Sequence, residues 1–304
     1  MVTTRPRLSD AMPTPRRFLQ LDVFASRLLE GNPLAVVVDA EGLDEATMQR
    51  IARWTNLSET AFLLPPSNPA ADYRVRIFTP RQELPFAGHP SVGSAYAAIE
   101  SGLIAAGKHA LVQECAAGLL PVRVEGDGGA RLIHVQAPPA TLRAVTAAQR
   151  AGLGRAVHAE LAEEQSCLID NGPLWFVCDL REEAAVRQLQ PDLAAIGGLC
   201  EAAGAVGVSV FGRQRSSGAS MAVRAFCPAD GIPEDPVTGS ANAAIMAWLG
   251  ERGGRDGYGP RYRASQGREV GRDGYVEVAR DPASGAVTIG GNCAIGVRGE
   301  LQLA

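Results

Sequence analysis

Lysine is almost absent from this chain. Lys108 is the single one among 304 residues, and the other basic residues are arginines. The skew reads as codon-composition bias, not as a phosphate-binding device. The formal net charge is −4, and no basic cluster is interleaved with aromatics. That balance argues against a nucleic-acid or polyanion partner. No apolar run reaches the length of a membrane span, so no membrane partner is expected. The opening MVTTRPRLSDAMPTPRR lacks the apolar stretch of a signal peptide, and residues 1–15 read as a flexible tail. None of the six cysteines shows C-x-x-C spacing, so a reduced, cytoplasmic setting is expected. H-x-x-H and H-E-x-x-H are missing, so no metal is expected. A Walker A lysine and a G-x-G-x-x-G between strand and helix are missing as well, so no nucleotide cofactor is implied.

What remains is an ordinary globular composition, 46% apolar and 20% charged, in a length that fits about two domains. The halves resemble each other. GIPEDPVTGSANAA from Gly231 aligns with LPFAGHPSVGSAYAA from Leu84 when Pro236 is set on Pro90. Gly239 then falls on Gly93 and Ser240 on Ser94, and His89 faces Asp235. Upstream, Arg224-Ala225-Phe226 matches Arg76-Ile77-Phe78. Asn171-Gly172-Pro173-Leu174 resembles Gly31-Asn32-Pro33-Leu34, and Gln266 echoes Gln113. Two copies with drifting offsets describe a two-lobed protein rather than a solenoid. The expected division is residues 16–137 and 138–292, with a boundary near Ala137-Pro138-Pro139-Ala140.

Within each half, β-branched runs punctuated by Gly, Asn and Pro read as strands. Asp44 to Thr55 reads as an amphipathic helix. Val92 to Ile104 and Ser240 to Leu249 read as helices that are small and apolar nearly all round. Such helices are buried, and the natural container is a sheet wrapped around each. Gly250 and Gly253-Gly254 are expected to close the second one.

The two turns Gly93-Ser94 and Gly239-Ser240 are expected at helix N-termini. Unpaired N–H groups there carry partial positive charge, and glycine admits a ligand close to the backbone. Facing each other, they would grip a carboxylate and stabilise an enolate-like intermediate. Gly and Ser as simple caps are the alternative. Glu59, between a helix end and an apolar strand, is placed for general acid/base work or is a surface glutamate at a strand start. His89, between Gly88 and Pro90 in a loop expected to be non-helical, moves a proton or bonds its own loop. Glu234 and Asp235 are site acids or helix N-terminal acids.

LDVFASRLLEGNPLAVV, NLSETAFL, FTPRQELPFAGHPSVGSAYAA, GIPEDPVTGSANAA and the closing GREVGRDGYVEV with IGGNCAIGVRGEL together resemble the phenazine-biosynthesis PhzF-like isomerases. The resemblance covers the chain from about Phe18 onward. It implies an α+β, diaminopimelate epimerase-like fold of two pseudo-symmetric lobes, each a rolled, mostly antiparallel sheet around a central helix. In that fold the last strand, residues 293–304, can return to the first lobe. It also implies a cofactor-free, metal-free proton transfer on a small carboxylate substrate similar to dihydro-hydroxyanthranilate. Glu59 would be the acid/base, with His89, Asp235 and Ser240 around it. Gly88, Ser91, Gly93, Ser94, Thr238 and Gly239 would bind the substrate. The related epimerases use a cysteine pair, which the matching loops here lack, so a two-thiol racemase is not expected. A homodimer is the implied assembly. An amino-acid epimerase or dehydratase using Glu59 or Asp235, and a ligand-binding or scaffold protein without turnover, are the alternatives.

Overall fold

A computed structural model describes residues 14–215, 218–253 and 257–303. Most of the expected N-terminal tail, and Gly254, lie outside them. The first half runs β1 (Thr14–Val23), β2 (Asn32–Val37), α1 (Glu45–Thr55), β3 (Glu59–Leu64), β4 (Tyr73–Phe78), β5 (Glu83–Leu84), α2 (Gly88–Glu100), β6 (Ala110–Cys115), β7 (Gly118–Glu125) and β8 (Leu132–Gln136). The second half runs β9 (Thr141–Arg143), α3 (Ala147–Ala156), β10 (Ser166–Asp170), β11 (Leu174–Glu182), α4 (Glu183–Arg187), α5 (Leu193–Ala203), β12 (Gly207–Arg213), β13 (Met221–Cys227), β14 (Ile232–Asp235), α6 (Gly239–Glu251), β15 (Arg261–Gln266), β16 (Gly274–Arg280), β17 (Val287–Gly291) and β18 (Cys293–Leu303).

The two halves share one plan. In the first, β2 and β3 pair in parallel, β3 and β4 antiparallel, and β4 and β6 in parallel. In the second, β11 and β12, β12 and β13, and β13 and β15 repeat that sequence. Parallel neighbours need a crossover. α1 and α2 supply it in the first half; α4 with α5, and then α6, supply it in the second. The halves meet where β8 pairs antiparallel with β17, Ile133 opposite Gly291. β18 crosses back to pair with β1 along nearly its whole length, with a bulge at Gln20/Leu21. β9 pairs with β10 in the same relation at the other end.

The two small-residue helices are the lobe axes. Every residue of α2 from Gly88 to Ile99 is buried, and α6 is buried except at a few positions. Their alanines, valines and isoleucines join the inner faces of both sheets in a single core cluster. Outer layers cover the backs of the sheets. Met48, Ile51 and Ala52 of α1 pack on Phe62 and Phe78, while α3 and α5 pack on Phe176, Val208 and Phe226. The two-lobed α+β architecture expected from the sequence is therefore present. α6 does not stop at Gly250: it runs on to Glu251, and a methyl at Gly250 would stand 2.4 Å from the Arg280 side chain. The left-handed glycine that follows the C-cap Arg252 is Gly253, at φ 68, which closes the helix as expected.

Candidate active site

The two central helices begin at Gly88 and Gly239, and these two glycines touch. A Cβ on either would lie 3.3 Å from the other's Cα, with Ile289 Cδ1 closer still beneath them. Neither helix has a side-chain cap. Every other helix of ten residues or more does, through Asp44, Thr146 and Asp192. Thr238 occupies the N-cap position of α6 and is a favoured capping residue. Its hydroxyl donates to Asp235 Oδ2 instead. Two helix N-termini thus converge with N–H groups that no cap consumes, which concentrates positive potential at one place.

This geometry corrects the placement of several residues. His89 and Pro90 are not in a loop; they are the second and third residues of α2. Proline is tolerated in the first helical turn, where its missing N–H has no intrahelical partner. Gly93 and Ser94 consequently do not open the helix. Gly93 faces Leu34, Val23 and Leu21, where a methyl would meet Leu34 Cδ2 at 2.5 Å. Its role is to let α2 approach β1 and β2. Ser94 is fully buried one position further along. By helix position Gly239 corresponds to Gly88, Ser240 to His89 and Asn242 to Ser91.

The polar residues beside the helix starts come from several strands. Glu59 opens β3, opposite Leu34 of β2. Its Oε2 lies 3.3 Å from His89 Nε2, and the two side chains are only 16% and 7% exposed. Both atoms are buried and neither has a hydrogen-bond partner, so they approach without being aligned on each other. Burial pushes the Glu59 carboxyl up to about 7; a hydrogen bond from Ser58 opposes the rise and the Asp230 charge adds to it. Burial lowers His89 to about 4, with Asp235 opposing. Asp235 is also raised, chiefly by burial and further by Glu59, against the pull of His89, Thr238 and Asn32. Near neutral pH the site therefore holds a neutral imidazole against a carboxyl that exchanges its proton in the working range.

Asp235 ends β14. Asn32 Nδ2 donates to its Oδ1 at 3.1 Å and to the Val237 carbonyl at 3.0 Å, tying the first half to the second. Gln266 Nε2 donates to the Asp235 carbonyl and to Thr238 Oγ1, while its Oε1 accepts from the Thr238 N–H and from Asn242. Gln113 plays the matching part for α2: it donates to Ser91 Oγ and accepts from Tyr73. Ser91 is therefore engaged with Gln113 and wholly buried. Ser240 accepts from Asn171 at its carbonyl and from Trp175 Nε1 at its hydroxyl oxygen, 3.2 Å away. An indole N–H can only donate, so the Ser240 hydroxyl keeps its own proton for a ligand.

Asn32, Gln113, Asn171, Trp175 and Gln266 were not among the expected site residues. For Gln113 and Gln266 the signal was present: glutamines at matching places in two apolar repeats. Among the described residues no group of three or more His, Cys, Asp or Glu side chains is arranged to hold a metal. A depression of about 310 Å³ opens elsewhere, on β7, β8, β15 and β16. It contains none of the site residues, and Arg123–Glu125 and Arg263–Glu277 pair within it.

Comparison with known proteins agrees with this fold. The family model described as phenazine biosynthesis-like protein, PhzC-PhzF, matches residues 21–299. The trans-2,3-dihydro-3-hydroxyanthranilate isomerase of Pseudomonas aeruginosa is 35% identical over 292 residues, covering 94% of this chain and 99% of that one. Antisense-enhancing sequence 1 of Schizosaccharomyces pombe is 34% identical over 296 residues, with the same coverage. The crystal structure of the Bacillus anthracis phenazine biosynthesis protein of the PhzF family superposes with a TM-score of 0.80 at 25% identity, covering 95% of this chain and all of that one. The chain belongs to the PhzC-PhzF, phenazine biosynthesis-like family, which includes named isomerases.

Proposed function

We propose that this protein is an isomerase that moves a proton between two carbons of a small unsaturated carboxylate, without a cofactor. The observation that carries the reading is the meeting of two uncapped helix N-termini beside Glu59, whose carboxyl titrates near 7. The N–H groups at Gly88 and Gly239 would hold the anionic end of the substrate. Glu59 would take a proton from a carbon conjugated to that group. The negative charge that develops would be met by the same N–H groups and by the Ser240 hydroxyl. Glu59 would exchange that proton with solvent and deliver one to a different carbon, so the overall reaction is redox-neutral and consumes no other reactant. Neutral His89 would orient the carboxyl and the substrate; Asp235 would do the same from the opposite side.

The similarity to a trans-2,3-dihydro-3-hydroxyanthranilate isomerase favours a substrate of that type: a small cyclic carboxylate with an acidic C–H. The six cysteines do not offer a second mechanism. Cys227 is the one nearest the acids of the site, and burial raises its thiol far out of the reactive range, with Asp235 and Asp230 adding to the effect. A cytoplasmic homodimer is part of the same reading; among the described residues no helix is long and apolar enough to cross a membrane. Light scattering should give twice the 31.9 kDa chain mass. The direct test of the function is incubation with trans-2,3-dihydro-3-hydroxyanthranilate in deuterated water. Product carrying one solvent deuteron at carbon supports the proposal, and unchanged, unlabelled substrate contradicts it.

A further inference from the structure

Glu234 stands beside Asp235 in the sequence but takes no part in the chemistry above. It is bound instead to Arg224. Arg224 Nε donates to Glu234 Oε1 at 2.9 Å and Nη2 donates to Oε2 at 2.8 Å, a two-pronged contact between side chains only 6% and 9% exposed. The remaining prong, Nη1, donates to the carbonyls of Val186 and Leu189 at the end of α4. The guanidinium also lies over Phe226, 5.0 Å from the ring centre.

The first half contains the same device. Arg76 makes a two-pronged contact with Glu83 of β5, and its guanidinium lies over Phe78 at 5.1 Å. In both halves an Arg-x-Phe strand grips a glutamate on the short strand that leads into a central helix. The copies differ in depth. Arg76 is 19% exposed and reaches only Glu83 and Glu45, whereas Arg224 is buried and bonded to three residues, Glu234 of β14 and Val186 and Leu189 at the end of α4.

We propose that Arg224 is a positioning residue for Asp235, acting through Glu234. β14 has four residues and pairs with β13 only at Asp235–Ala225 and Ile232–Cys227, with an irregularity between them. So short and irregular a ladder holds its strand weakly. Neighbouring side chains of a strand point to opposite faces. Glu234 is held on one face, and that hold directs Asp235 from the other face toward Asn32 and Thr238. The half-buried Arg76–Glu83 pair stabilises its turn without carrying an acid of the site. This inference rests on the proton-transfer reading for its kinetic consequence, but not for its structural one.

The test uses the full chain with Arg224→Met, Arg224→Lys and Glu234→Gln, and Arg76→Met as the comparison. Crystal structures report whether the Asp235 carboxylate stays on Asn32 and Thr238. Deuterium incorporation into dihydro-hydroxyanthranilate gives kcat and KM per folded molecule. The expected result is a displaced Asp235 carboxylate in Arg224→Met, with kcat down about 10–100-fold and KM changed by less than about threefold, since an ångström of misplacement costs a factor of that size. Arg224→Lys, which retains one prong, should recover part of kcat, and Arg76→Met should lose melting temperature alone. Should Arg224→Met fail to fold, Glu234→Gln, with its unchanged shape, reports the same two quantities. Asp235 left in place, or a displaced Asp235 with unchanged kcat, overturns the assignment. A wild type inert toward this substrate contradicts the proposed function, and the crystallographic position of Asp235 then decides the clamp by itself.

Discussion

The contact between the two helix starts makes Gly239→Ala an informative perturbation. The added methyl would stand 2.6 Å from Ile289 Cδ1, 3.3 Å from Gly88 Cα and 3.4 Å from the His89 nitrogen. The first contact is relieved by turning the end of a flexible side chain. The other two are with the backbone of a buried helix and can be relieved only by moving α2 and α6 apart by a few tenths of an ångström. Overpacking of that kind costs about 1–3 kcal/mol, and the gain from replacing a helical glycine returns at most about 1 kcal/mol. A net loss of about 1–2 kcal/mol is expected as a lower midpoint in urea at unchanged slope. Ile289→Val on the same background removes Cδ1 and should restore only the side-chain part of the loss. Separating the two N-termini should also weaken anion binding, raising KM or the dissociation constant of a competing carboxylate. Wild-type stability together with wild-type carboxylate affinity in Gly239→Ala would refute the claim that these glycines bring two anion-binding helix ends together.

Other outcomes follow from the same contacts. Glu59 has a folded pKa raised above its unfolded value, so the folded state binds the extra proton; the stability this gives is present below about 4.5 and falls as pH rises toward 7. Glu59→Gln should therefore flatten that decline by up to about 3 kcal/mol in urea titrations between those pH values, and no change in the slope would contradict the raised carboxyl. His89 has the opposite sign: its lowered pKa makes stability rise between about 4 and 6.5, so His89→Gln should be relatively more stable than wild type at pH 4 than at pH 7. Asn32→Ala removes a donor that lowers the Asp235 pKa, so that carboxyl should shift upward in carbon-13 titration, whereas an unmoved Asp235 would show that the contact is idle. Trp175→Phe removes the donor to Ser240 and should cost about 0.5–1.5 kcal/mol, measured by the urea midpoint.

The lobes were legible in the sequence because they are duplicated and because two helices that are small and apolar nearly all round have only an interior to occupy. The helix starts were not. Setting Pro236 on Pro90 gives an offset of 146, whereas the helix starts, 239 minus 88, give 151. Segments so rich in Gly, Ser and Ala slip by five residues and still share many identities. The Gln113–Ser91 and Gln266–Asn242 contacts fix the structural register, but they are pairings across strands that spacing alone does not reveal. The proline rule also misled at His89: a proline disfavours helix in the residue before it, but the first turn leaves its own N–H groups unpaired and accommodates one. The bounds of α3 are hard to read because AAQRAGLGRA has two glycines and little amphipathic pattern; its signal is the capping box Thr146-x-x-Gln149. The site acids were legible as candidates from their neighbours in sequence. The proximity of Glu59 to His89 required the parallel pairing of β2 with β3 and the burial of α2.

The central claim is that Glu59 carries the proton. Glu59→Gln preserves shape and removes the titrating group. With trans-2,3-dihydro-3-hydroxyanthranilate in deuterated water, wild type should form product bearing a solvent deuteron at carbon, and its kcat/KM should rise with pH through an apparent pKa near 7. The variant should bind a competing carboxylate as wild type does while its rate of incorporation falls by a factor of about 100 or more. Incorporation at the wild-type rate in Glu59→Gln would contradict the account and move the base to another group, with Asp235 the other buried acid of the site.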